Sequence, residues 1–409
     1  MSESTARVVV VGINFWPEKT GIAPYTTAMA RYLARYYSVR VLTTFPHYPQ
    51  WKVDRKVSLA ADNEHPYVKR TSVYVPRSPK PLLRVLFEAS FGLKALLSLS
   101  VLRSSSVIVL VTPALISSVL VAFVTRLVGG RSIRIVVVGQ DLYSAGSEES
   151  GLPRPVASVF RLLESYLFKI SDRVILIHDN LRRYAVNRLG TDEARISVIA
   201  NWTHLSEQSD KLSVCPGVSE VSSRAGCDVV VLHAGNMGRK QGLGNVIEAA
   251  RLCEKAKNGV HFILMGDGGE RSSLVARSRG LRNIHFVDAA NHDEFLPTLR
   301  SADLLLLNEE PGLVEMAVPS KLTSYFRAGV AVIGATDSRS GASAELRKSG
   351  GGVVVRPGDP EALVDSILDI MSRPSDRTRM GAAGAQYAEQ SLKEVTALEQ
   401  YREVIDGLI

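Results

Sequence analysis

Three stretches of the sequence gather residue types that could hold a phosphate. In LHAGNMGRKQGLGNVIEAA, Leu232 to Ala250, Arg239 and Lys240 stand side by side among Gly235, Gly238 and Gly242. The pattern reads as a strand end, a tight glycine turn and a helix start. Glycine lets the backbone approach a ligand closely, and a helix N-terminus offers unpaired N–H groups that favour an anion. A basic pair at such a turn could grip a diphosphate and neutralise a departing phosphate; solvated loop charges are the alternative. LMGDGGE, Leu264 to Glu270, repeats the strand–glycine–helix order around Gly266. In EPGLVEMAVPSKLTSYFRAGVAVIGA, Pro319 starts a helix, Ser320 and Lys321 fall in its first turn, and Gly329 follows its end. A lysine there opposes the helix dipole, so a nearby anion or carboxylate would explain it, as would a side chain that snorkels. Glu315, just ahead, could hydrogen-bond sugar or ribose hydroxyls or be a surface charge. A fourth loop, GINFWPEKTGIAPYTTAMARYL, sets Gly21 before a helix that Pro24 can begin. It has neither the G-x-G-x-x-G nor the P-loop spacing.

The elements that must carry these loops are short β-branched runs alternating with helix-like stretches. RVVVVGI, VRVLTTF, VIVLV, IRIVVV and RVILI lead to a last strand in RISVIANW, Arg195 to Trp202. After a polar, Ser-rich region the pattern restarts with DVVVLHAG, HFILMG, NIHFV, DLLLLN, VAVIGA and GVVVR. From about Asp359 the pattern is helical. This order predicts an α/β chain of two doubly wound parallel sheets with a helical tail, whose ligands bind beyond the carboxyl ends of the strands. Two such domains facing each other would share a cleft. The expected boundaries are a first domain over 1–202, a linker over 203–225, a second domain over 226–385 and a final helix over 386–409.

The bulk properties agree. The chain has 409 residues, 45% of them hydrophobic, more than one compact core needs. A net charge of +8 points to an acidic partner: nucleic acid, an anionic membrane surface or a phosphorylated substrate. Cys215, Cys227 and Cys253 match neither a zinc spacing nor a disulfide framework and read as reduced thiols. The N-terminal MSESTARVVVVGI lacks the features of a signal peptide. Val107 to Val124 is uncharged and approaches the length of a spanning helix. Pro113 divides it, and a buried strand followed by an apolar helix is the preferred reading. Pro76 to Arg103 mixes Arg77, Lys80, Arg84, Lys94 and Arg103 with Leu, Phe and Val. It predicts one or two amphipathic helices, fit for an anionic membrane interface or for core packing with a solvated basic edge.

GINFWPEKTGIAPYT, QDLY, IANW, HAGNMGRKQGL, GDGGE and VPSKLTSYFRAGVAVIGA occur in that order along nearly the whole chain. Together they resemble family 4 of the retaining GT-B glycosyltransferases, in the bacterial branch that includes colanic-acid-type polysaccharide transferases. The resemblance implies transfer of a hexose or N-acetylhexosamine from a nucleotide diphosphate donor, UDP- or GDP-linked, with retention at the anomeric carbon. It implies an acceptor-binding N-terminal domain, a donor-binding C-terminal domain and a C-terminal helix crossing back to the first domain. Carried over, Lys240 would contact the donor diphosphate in a loop with Gly235, Asn236 and Arg239. Gly266, Ser320 and Lys321 would lie at the donor site, Gly21 near the sugar phosphate and Glu315 near the transferred sugar. Asp141, in GQDLY, would face the cleft beside the sugars. Gln140 stands where the family usually has histidine, Asn236 where an arginine is common, and Ser324 at the place of a second glutamate.

No D-x-D triplet and no H-E-x-x-H pair occurs. Metal-independent transfer is therefore expected, with no cofactor beyond the nucleotide-sugar co-substrate. The expected acceptor is a glycan or a polyprenyl-diphosphate-linked sugar, and the expected place is the cytoplasm, peripheral on the plasma membrane. A sugar-nucleotide 2-epimerase of the same fold is the alternative enzyme. A non-enzymatic membrane or nucleic-acid binder is a further one, and no recognised nucleic-acid module appears.

Overall fold

Strands made almost wholly of Val, Ile and Leu must be covered on both faces, and parallel sheets provide that cover. The computed structural model describes residues 6–18, 21–48, 50–55, 67–77, 81–149, 153–202, 213–224, 229–314 and 320–409. It contains two parallel sheets. The first runs through β1 (Arg7–Val11), β2 (Ser38–Thr44), β3 (Val68–Thr71), β4 (Val107–Thr112), β5 (Arg134–Gly139), β6 (Arg173–Leu176) and β7 (Ile196–Val198). Its spatial order is β3-β2-β1-β4-β5-β6-β7, so the chain reverses direction across the sheet between β1 and β4. The second comprises β8 (Val229–Ala234), β9 (Val260–Met265), β10 (Ile284–Val287), β11 (Leu304–Asn308), β12 (Val332–Ala335) and β13 (Gly352–Val355), in the order β10-β9-β8-β11-β12-β13. The central strands β4, β8 and β11 are buried at every residue.

The chain divides into two units, residues 1–200 with 395–409, and residues 201–394. Several expected boundaries fall elsewhere. Within the stretch read as a linker, Pro216–Arg224 is a helix of the second unit. Val218 on it is fully buried, and a methyl group on Gly217 would meet Val287 of β10. The last strand of the first sheet closes at Val198, before Trp202. At the tail, Pro374–Ser391 stays with the second unit, because its Gly381 and Gly384 let it lie directly on Gly329 and Gly351. The helix that returns is Glu394–Asp406: Leu398, Tyr401 and Ile405 are buried, and Tyr37 donates a hydrogen bond to the Asp406 carboxylate.

The uncharged segment resolves into β4 and the helix Leu115–Gly129, divided at Pro113. Among the described residues no helix is long and apolar enough to cross a membrane. Pro76 to Arg103 contains the helices Pro81–Leu96 and Leu99–Arg103. Cys215 and Cys253 are buried free thiols; Cys227 lies outside the described residues.

Candidate functional site

The glycine turns after β8 and β9 are built into one another. Gly235 has φ 134° and Gly266 φ 132°, where a side chain is strained. A Cβ on Gly266 would sit 2.1 Å from the Gly235 carbonyl oxygen, and one on Gly268 2.6 Å from the Met237 backbone. Glycine at these positions therefore lets the two loops touch. Gly235 N–H donates to the Met265 carbonyl (2.8 Å) and Met237 N–H to the Asp267 carbonyl (2.8 Å). Met237, fully buried, anchors the loop from below, while Asn236 stays exposed.

Lys321, in the first turn of the helix Ser320–Ala328, fills the space that a Gly235 side chain would need: a Cβ there would be 2.6 Å from Lys321 Cε. The ammonium donates to Gln241 Oε1 (2.5 Å) and lies 3.2 Å from His233 Nε2. His233 Nδ1 faces the Leu306 carbonyl at 3.2 Å. A carbonyl only accepts, so Nδ1 carries the proton and Nε2 receives the Lys321 hydrogen. Burial, reinforced by the Lys321 charge, holds the His233 ring neutral, well below its usual range. Burial also lowers Lys321 to about 7, against the opposing pull of the Glu309 carboxylate. Tyr325, one turn further along the helix, is fully buried and its hydroxyl accepts from Ala234 N–H (2.9 Å).

Arg239 and Lys240 are exposed on a single 3-10 turn, Arg239–Gln241, which ends at Gly242 in the left-handed region. The turn is fixed by Asn308 at the end of β11. Its amide donates to the carbonyls of Gln241 (2.8 Å) and Gly242 (3.0 Å), and accepts from Asn245 (2.9 Å). The Lys240 carbonyl accepts from Glu310 N–H (2.9 Å). The helix Gly244–Ala256 follows directly.

The second unit thus brings Gly235, Asn236, Gly266 and Lys321 together, with Arg239 and Lys240 on the adjoining turn. Glu315 lies outside the described residues, and so does the Ser320 side chain. In the first unit, Gly21 (φ 66°) ends the loop after β1 against the Tyr48 ring. That loop is held by the buried carboxylate of Glu18, which accepts from the backbone N–H groups of His47 (2.7 Å) and Tyr48 (2.8 Å). Asp141 follows β5. Its carboxylate accepts from Leu142 N–H (2.9 Å) and its carbonyl accepts from the Thr112 hydroxyl (3.2 Å). Sequence reasoning missed His233, Gln241, Asn308 and Tyr325. The signal was present for two of them: His233 and Asn308 are polar residues at the carboxyl ends of otherwise apolar strands. Among the described residues no three His, Cys, Asp or Glu side chains gather as metal ligands would.

Known proteins resemble this chain in sequence and in fold. Residues 219–387 match the family described as glycosyl transferases group 1, and residues 20–202 the glycosyl transferase 4-like domain. A protein of Escherichia coli K12 named as a colanic acid biosynthesis glycosyl transferase, WcaI, is 30% identical over 428 residues, covering 98% of this chain and all of that one. Among solved structures, sucrose-phosphate synthase from Thermosynechococcus elongatus matches with a TM-score of 0.71 at 15% identity, over 98% of this chain and 99% of its own. HepE of Anabaena, solved with UDP-glucose, matches with a TM-score of 0.67 at 17% identity, over 98% and 99%. With the two family domains in sequence and a relative matched along its entire length, the chain belongs to the group 1 glycosyltransferases of GT-B fold.

Proposed function

We propose that the second unit binds a nucleoside diphosphate sugar. The protein transfers that sugar, with retention and without a metal ion, to a glycan or polyprenyl-diphosphate-linked acceptor in bacterial surface polysaccharide synthesis. The observation that carries this reading is the Lys321 ammonium, seated against Gly235 where the two glycine turns meet. A buried cation brought to about 7 is costly on its own and gains most when an anion arrives beside it. A diphosphate lying along the strand ends would restore its full charge. Arg239 and Lys240 would neutralise the phosphate that departs. As the bond from the anomeric carbon to the leaving phosphate oxygen breaks, the acceptor hydroxyl attacks from the same face and its proton passes to that oxygen. The colanic acid name of the E. coli relative supports the polysaccharide setting. The UDP-glucose complex of HepE supports the donor class. A lipid-borne acceptor places the work at the cytoplasmic face of the membrane.

Thermal shift with a panel of UDP-, GDP- and dTDP-sugars tests the donor part. One nucleotide series should raise the melting temperature, and Lys321→Ala and Lys240→Ala should each abolish most of that rise. No response to any nucleotide sugar would sink the reading, as would an epimerised donor in the absence of acceptor. Activity unchanged by EDTA is the expected result for metal independence. Proton NMR of the product linkage reads the stereochemistry.

A further inference from the structure

Three neighbouring helices of the first unit turn large apolar side chains to the surface as well as to the core. Pro81–Leu96 packs on Leu115–Gly129, which packs in turn on Arg154–Ile170. In the middle helix Ser117, Ser118 and Thr125, each at most 2% exposed, are buried beside Leu115, Val121 and Ala122, while Phe123 and Leu127 are 50% and 73% exposed. A helix on a water-facing surface is expected to keep Phe and Leu inward. Its neighbours continue the pattern. Leu82, Leu86 and Leu93 form an outward stripe on the first helix, extended by Leu97 just beyond its end. On the third, Val159, Leu162 and Tyr166 recur at helical spacing, with Leu162 71% exposed. The first two helices cross closely: a Cβ on Gly92 would lie 3.0 Å from Ser117 Cα. The stripes therefore belong to one rigid layer.

The charge on this layer has one sign. Glu88 and Glu164 are the acidic residues of the three helices, and both are buried. Glu88 accepts from Ile116 N–H and from the Tyr143 hydroxyl. Glu164 accepts from Tyr143 N–H and from Ser144. Lys94, Arg154 and Lys169 are exposed around the apolar stripes, and Arg103 is exposed on the short helix that follows. Apolar side chains framed by cations, with no outward carboxylate, suit an anionic bilayer. The stripes enter the acyl boundary and the cations meet the headgroups. We propose that this three-helix face is the docking surface of the protein on an anionic membrane. The inference rests on the membrane setting of the proposed function and extends it beyond residues 76–103, to two helices outside that segment.

Flotation with vesicles of phosphatidylglycerol and phosphatidylcholine tests it on the full chain. The expected result is binding that falls in high salt and is absent on phosphatidylcholine alone. Leu127→Glu and Leu162→Glu, chosen at exposed positions, should each weaken vesicle binding about tenfold. Their thermal response to nucleotide sugars, read without lipid, should match that of the parent. If no binding to the anionic vesicles occurs, or both variants bind like the parent, the docking surface is wrong. A dimer that these substitutions dissolve would assign the face to a second copy and also overturn it. The lipid-free donor response stands apart from these outcomes and reports on the transferase reading alone.

Discussion

Burial strips Lys321 of hydration and leaves its ammonium titrating near 7, where free lysine titrates at 10.5. A bound diphosphate favours the charged form, so donor binding above neutral pH must take up a proton. At pH 8, calorimetry in buffers of different ionisation enthalpy should show uptake of about half to one proton per donor. Affinity should fall as pH rises beyond about 7. The same shift costs stability. Between about 7 and 10.5 the unfolded chain holds a proton that the folded chain lacks, so this group's contribution to stability rises with pH across that window. Lys321→Met should therefore melt higher than the parent at pH 7, by a margin that shrinks toward pH 10, while losing donor affinity. Gly266→Ala places a methyl group against the Gly235 carbonyl at a positive φ. It should cost about 2–4 kcal/mol in denaturant unfolding. Lys321 and the glycines were legible in the sequence because their types are odd for their places. Its partners were not: Gln241 and His233 lie 80 and 88 residues away, and only the folded sheet brings them near.

At the scale of elements, the 3-10 turn that presents Arg239 and Lys240 depends on Asn308 at the end of the neighbouring strand β11. Asn308→Ala leaves two carbonyls without their donor and should cost about 2–3 kcal/mol. It should also raise the KM for the donor more than it lowers kcat, because the turn would no longer be held in register. Predominantly apolar runs in the sequence located all six strands of the second sheet, the fully buried β8 and β11 among them. Strand β3 was not. Its residues VKRT sit at the sheet edge, half exposed, and Lys69 and Arg70 hide the pattern. The helix Pro216–Arg224 was obscured by its serines, since its burial comes from tertiary contact at Val218 rather than from a strong periodic stripe.

At the scale of the whole molecule, the first unit is assembled from two distant pieces of chain. Leu398 and Ile405 are buried in it, each contributing about 1.5–3 kcal/mol of apolar burial, with Tyr401 between them. Ending the chain after Glu394 should therefore lower one calorimetric transition by several degrees and leave the other where it was. Loss of both transitions together would show that the units do not melt separately. The returning helix was legible only through family resemblance, since no local pattern says which sheet a terminal amphipathic helix will cover.

That divided unit sets an order of events during synthesis. Residues 1–200 leave the ribosome before the second unit, but the helix that covers Tyr25 and Tyr37 is made only after that unit. At ordinary translation rates the interval is about 10–40 s. During it the nascent first unit exposes the ground that this helix will occupy, while the second unit can already close. The first unit is thus completed only when residues 395–409 are free of the exit tunnel. Until then a nascent chain that has folded its second unit still presents chaperones with an incomplete first one.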